Sequence, residues 1–175
     1  SFDISRRSGK TGDLTTRNPD MNKFIASAAT ALFLASAQIT FAQSISASNP
    51  ESLTNMLSES GYPAEIVTDS YGDPQIKTEI DGTKMDINFY GCDDGRNCRD
   101  IQFRASFDTS GNTSLQTLHD WNRDFFIGKA YQNSQGYSVI EHAVAGVDGM
   151  SRYTFDRILT RWTSAVESFK EHIGF

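Results

Sequence analysis

Cysteine is almost missing from this 175-residue chain, which holds only Cys92 and Cys98. Five residues lie between them, which excludes a dithiol redox motif with its two intervening residues. A zinc site would need further Cys or His at matching spacing, and none is there. Histidine is nearly as scarce, limited to His119, His142 and His172. The chain has no Gly-x-Ser-x-Gly elbow, no His-Glu-x-x-His and no phosphate-cradling glycine loop, so the common signatures of catalytic sites are lacking. It also has no excess of positive charge. Sixteen Lys+Arg against 22 Asp+Glu leave a formal charge of −6, and from Gln43 onward the count is 11 against 19, or −8. Such a chain gains nothing electrostatically from nucleic acid or an anionic membrane, whose binding relies on Lys and Arg.

One apolar run exists. Met21-Asn22-Lys23 precedes FIASAATALFLASAQITFA, a short basic start, an apolar stretch and a small-residue end at Ala42. That order is the grammar of a secretory signal peptide over residues 21–42, with cleavage expected after Ala42. The run falls short of a comfortable span of about 20 apolar residues, and Gln38 and Thr40 weaken its end. No lipobox cysteine lies near the cut. The expected product is a periplasmic or secreted bacterial protein with no stable membrane insertion. Residues 1–20, polar and aperiodic, are read as an upstream disordered segment or a misplaced start, and 43–48 as a small polar linker. In an exported chain an even cysteine count predicts a disulfide, here Cys92–Cys98.

What the chain does have is alternation. Met85, Ile87 and Phe89 point one way and Lys84, Asp86, Asn88 and Tyr90 the other. Ile101, Phe103, Ala105 and Phe107 alternate likewise with Asp100, Gln102, Arg104 and Ser106. These are two half-buried strands of an antiparallel pair, expected in the middle of the sheet. Upstream, Asn49-Pro50-Glu51 starts a short helix that Gly61 and Pro63 stop. Residues 64–68 and 74–80 read as strands around a turn, and Asp81-Gly82 as a tight turn. Thr113 with Gln116 fits a capping box for a helix carrying Leu115, Leu118, Trp121 and Phe125 at helical spacing and ending at Gly128. A hairpin over 129–145 follows. A final helix capped by Ser151 carries Phe155, Ile158, Leu159, Trp162, Val166, Phe169 and Ile173 at spacings of three and four. The class is α+β, an antiparallel sheet flanked by helices in the order α-βββ(β)-α-ββ-α.

Four segments carry a family likeness: GYPAEIVTDSYGDPQIKTEIDG, FYGC followed by CRDIQF, HDWNRDFFIGKAY, and FKEHIGF. In this order and spacing the chain resembles the YbjN-domain family of bacterial sensory transduction regulators, over about Leu53 to Phe175. The resemblance implies a fold similar to type III secretion chaperones and assigns no catalytic residue. Two departures stand out: Phe125-Phe126 where charged residues are expected, and His142 where an apolar one is expected.

For function the sequence supports an exported, non-enzymatic domain that binds a protein or peptide, a second copy of itself included. Twelve Phe, six Tyr and two Trp supply the aromatics that recur at interfaces. The competing reading is a binder of a small ligand or envelope component, with weak hydrolase activity, at a pocket near Trp121, Asn122, Arg123 and His142. Asp69, Asp73, Asp93 and Asp94 could offer oxygens to calcium, but they lack the ligand alternation and distal Glu of a calcium loop. Neither metal nor cofactor is expected.

Overall fold

The computed structural model describes residues 44–175. The expected signal peptide over 21–42 and the segment upstream of it lie outside the described residues.

The first described residues correct one expectation. Within the stretch 43–48 read as a linker, Ile45, Ser46 and Ala47 are packed into the domain. Ile45 and Ala47 are fully buried, Ile45 bridges to Met150, and the Ala47 amide donates to the Val147 carbonyl at 2.7 Å. Helix α1 (Pro50–Glu59) then starts with proline at its first position, where a missing N–H costs nothing. Asn49 makes no side-chain cap. Ser52 instead ties the first turn to the segment before it, donating to the Asn49 carbonyl at 2.6 Å and accepting the Ser46 amide at 3.0 Å. Leu53, Met56 and Leu57 form the buried stripe.

Four strands follow: β1 (Ala64–Thr68), β2 (Pro74–Ile80), β3 (Thr83–Tyr90) and β4 (Asp100–Phe107). Asp81 and Gly82 both adopt left-handed backbone (φ 50° and 77°), the geometry that two-residue hairpins require. The Cys92–Cys98 disulfide ties the β3–β4 loop, with Cys98 buried in the core. Helix α2 (Leu115–Asp124), strands β5 (Lys129–Gln132) and β6 (Ser138–Val144), and helix α3 (Arg152–Ile173) complete the chain. The sheet order is β1-β2-β3-β4-β6-β5, antiparallel throughout, which puts β3 and β4 in the middle as alternation predicted.

The helices all cover one side of this sheet. Phe103 sits 5.7 Å from Trp162 and 6.2 Å from Phe155 (ring centroids), and Phe107 sits 6.0 Å from Phe169, so the aromatic stripe of α3 lies along β4. Apolar residues at alternate positions fill this face because only they can give up water without leaving a polar group unpaired.

Helix α2 departs from expectation at both ends. Its cap is Ser114, whose hydroxyl accepts the Thr117 amide at 3.0 Å. Thr113 is buried one residue earlier and Gln116 bonds Asp120 instead. The helix stops at Asp124, not Gly128, because Phe125 turns to extended backbone (φ −110°, ψ 135°). Gly128 has a different job. It adopts φ 90° and lies so close to β6 that a Cβ there would meet the Ile140 side chain at 2.6 Å.

Candidate functional site

Among the described residues no helix covers the other face of the sheet, and its charges follow a pattern. Glu65, Lys77, Asp86, Arg104, Glu141 and Lys129 are register partners in turn across all six strands, with signs that alternate. Lys77 pairs with Asp86 at 2.8 Å, while Glu141 lies 3.4 Å from the Lys129 ammonium and 3.7 Å from Arg104. Glu141 is nearly buried and also accepts the Tyr131 hydroxyl at 2.6 Å. Burial first, and then this carboxylate, push the Tyr131 phenol up to about 12; Tyr90 is raised by the same two causes. Each cation of the ladder thus has a carboxylate partner, and a shallow cleft of about 530 Å³ runs along this face past Glu65, Lys77, Glu79 and Lys84.

The α2–β5 turn is different. Trp121 is fully buried and donates its indole N–H to the Gly128 carbonyl at 2.8 Å. Asn122 sends its amide to the Ala130 carbonyl at 2.9 Å and accepts the Ala130 amide at 2.7 Å, so one side chain stands in for a strand partner along β5. Those two residues hold the turn. Phe125 stacks on Trp121 with centroids 3.9 Å apart and planes 9° apart, and His172 from α3 meets both rings edge-on at 5.6 Å. The His172 Nε2 lies 2.9 Å from the Thr117 carbonyl, which ties the end of α3 to α2. Phe125 is still 41% exposed, and Phe126 beside it is 91% exposed.

This aromatic shelf borders a groove of about 620 Å³ whose other wall is the outward stripe of α3. Ser164, Ala165 and Ser168 keep that wall low, and Arg157 and Arg161 crown it. The two arginines sit at i and i+4, a like-charge pair that costs a helix about 0.2–0.5 kcal/mol. Among the described residues neither makes an ion pair, whereas Arg123 and Arg152 each do. Among the described residues no carboxylate lines the groove.

The residues singled out in the sequence are thus divided. Trp121 and Asn122 come together and build the shelf. Arg123 points to solvent and is held by Asp124 at 2.6 Å and Asp120 at 2.7 Å; the Asp124 hydrogen bond raises the guanidinium further and lowers the carboxylate in turn. His142 lies elsewhere, opposite Phe103 in register and stacked at 6.5 Å over Trp162. Trp162 is two turns of α3, about 10 Å, from the Phe169 that touches Trp121. Burial alone lowers the His142 pKa. The structure does not bring these four side chains into one pocket, and among the described residues no cluster of three His, Cys, Asp or Glu is placed to hold a metal ion.

The sequence profile of the YbjN family, described as "Putative bacterial sensory transduction regulator", matches residues 49–175. The chain belongs to the YbjN family. Among solved structures it is similar to "YbjN, a putative transcription regulator from E. coli", at 15% identity and a TM-score of 0.53, covering 72% of this chain and 91% of that one. A fainter likeness, at 13% identity and a TM-score of 0.42, is to the Yersinia pestis type III secretion chaperone SycH in complex with a fragment of YscM2, covering 65% and 92% of the two chains. No curated protein matches the sequence. The E. coli neighbour fits the expected α+β architecture of this YbjN domain.

Sequence reasoning had marked Phe125-Phe126 only as a departure from the YbjN pattern. It missed Arg157 and Arg161 altogether. Their signal was available in outline, since both fall between the apolar positions of the α3 stripe and therefore face away from the core. What no pattern in the chain could say is that the same stretch of α3 faces the α2–β5 turn.

Proposed function

We propose that this YbjN domain is an exported, non-catalytic protein-binding module that holds a segment of a partner against the shelf of Phe125 and Phe126. The observation that carries the reading is the near-complete exposure of Phe126 next to a stacked, hydrogen-bonded support. Leaving a phenylalanine in water forgoes roughly 1.5–3 kcal/mol of burial. Exposed aromatic side chains beside an ordered support are what binding sites use as anchors, and the stacking of Phe125 on Trp121 supplies that support. The polar groups beneath it are committed to structure: the indole to Gly128 and the Asn122 amide to Ala130.

Export rests on the signal-peptide pattern over 21–42 together with the Cys92–Cys98 disulfide, a bond that persists in oxidising compartments. Cleavage after Ala42 would leave Ile45, the first buried residue described, inside the product. Mass spectrometry of the protein from a bacterial periplasm should find an N-terminus at Gln43; an uncleaved cytoplasmic chain would refute export.

The binding reading is tested with a photo-crosslinking residue placed at 126 in living cells, with the same residue at exposed Leu115 as control. A discrete, saturable protein adduct from position 126 alone is expected. Identical adduct patterns from both positions, or none from 126, would sink it.

A further inference from the structure

Resting on the binding reading, we propose that the groove between Phe125-Phe126 and α3 takes an acidic segment of another protein, anchored by apolar side chains. Two features of the groove carry this. Among the described residues its rim holds two cations and no acid, in a protein whose acids outnumber its bases by 22 to 16. Charge complementarity therefore asks for carboxylates from the occupant, whereas on the six-strand ladder Lys77, Arg104 and Lys129 each already have a carboxylate of the same chain, at 2.8, 3.7 and 3.4 Å. The second feature is the aromatic wall. Phe125 and Phe126 need apolar cover, which a purely polyanionic ligand cannot give.

Size narrows the occupant further. The stripe from Arg157 to Ser168 runs about 16 Å along the helix. That length accommodates about five residues of extended chain. The arginine end and the small-residue end differ in chemistry, so the segment has a direction. Its carboxylates lie toward Arg157 and Arg161, and its apolar side chains lie over Ser164, Ala165 and the two phenylalanines. A bare phosphate or sulfate would satisfy the arginines and leave the aromatic wall wet.

The test uses the full chain as the cell processes it, with three fluorescein-labelled dodecapeptides followed by anisotropy. The first alternates glutamate with leucine, the second lysine with leucine, the third glutamate with serine. The glutamate–leucine peptide should bind best and lose affinity as salt is raised. The double variant Arg157→Glu/Arg161→Glu should weaken it about tenfold and transfer preference to the lysine–leucine peptide, a reversal that misfolding cannot produce. Phe126→Ser should weaken both leucine peptides by a similar factor while leaving thermal stability unchanged. If the two leucine peptides bind equally well and the double variant changes neither, the acidic specificity is wrong, and Phe126-dependent binding would leave the binding reading standing. If no peptide responds to Phe126→Ser, both fall. Sedimentation showing a dimer that Phe126→Ser dissolves would identify the occupant as a second copy and overturn the proposal.

Discussion

The two faces of the sheet solve opposite problems with the same strands. Beneath the helices, alternate residues of β3 and β4 are apolar: Phe103 and Phe107 meet Phe155, Trp162 and Phe169, and Met85 accepts the Trp162 indole N–H. On the open side, the residues in between form a ladder of alternating charge and bury almost nothing apolar except Val139. The covered face carries the fold's stability through area removed from water. The open face presents charge to its surroundings in place of apolar area. This contrast is what isolates the Phe125-Phe126 shelf, which follows neither rule: it is apolar and uncovered.

The most forceful way to break the comparison is to empty the covered face. Phe103→Ala should cost about 3–5 kcal/mol in denaturant unfolding, because the cavity would sit between Phe155 and Trp162, which cannot both collapse into it. Next is the pin where the two central strands part. Replacing Cys92 and Cys98 with serine should cost about 2 kcal/mol, the loop-closure entropy of a short ring, and leave both faces otherwise intact.

The open face should answer more softly. Glu141→Gln removes the carboxylate shared by Arg104, Lys129 and Tyr131, and about 1–2 kcal/mol is expected, since water can reach most of the groups left behind. The same variant sharpens the picture spectroscopically. In a titration followed by tyrosine absorbance, the phenol held up to about 12 in the wild-type protein should move back toward 10.

The smallest expected effect concerns His142. Desolvation lowers its pKa in the folded state below the ordinary 6.5. The unfolded chain then takes up a proton first as pH falls, so this contribution is complete above pH 6.5 and lost as pH drops through the lower folded value. A modest loss of stability between neutral and mildly acidic pH is expected. In His142→Gln it should be reduced, and an unchanged slope would assign the effect to other groups.

Much of the fold was legible in the chain, and what was not legible shares a cause. Strand alternation located β3 and β4 because side-chain direction is a local property with period two. The end of α2 was misjudged because Phe125 continues a helical spacing from Leu118 and Trp121; stacking on Trp121 from an extended backbone satisfies the same apolar demand. Ile45 and Ala47 read as linker because their partners, Met150 and Val147, stand a hundred residues away. The candidate site shows the same division. Trp121 and Asn122 attracted notice as a polar–aromatic cluster, but their hydrogen bonds to Gly128 and Ala130 depend on how the turn folds back. Arg157 and Arg161 became a site only when α3 was set beside the shelf.

The charge ladder has one more consequence, for how the strands find one another. A one-residue slip would turn every apolar side chain outward and is rejected by the hydrophobic pattern itself. A two-residue slip keeps each side chain on its proper face, and burial cannot detect it. Charge can. Sliding β2 or β4 by two residues so that Lys77 or Arg104 leaves Asp86 for Lys84 sets cation against cation on the central strand. The surface that contributes least to holding the native sheet together is thus the one that distinguishes it from its nearest misaligned neighbour.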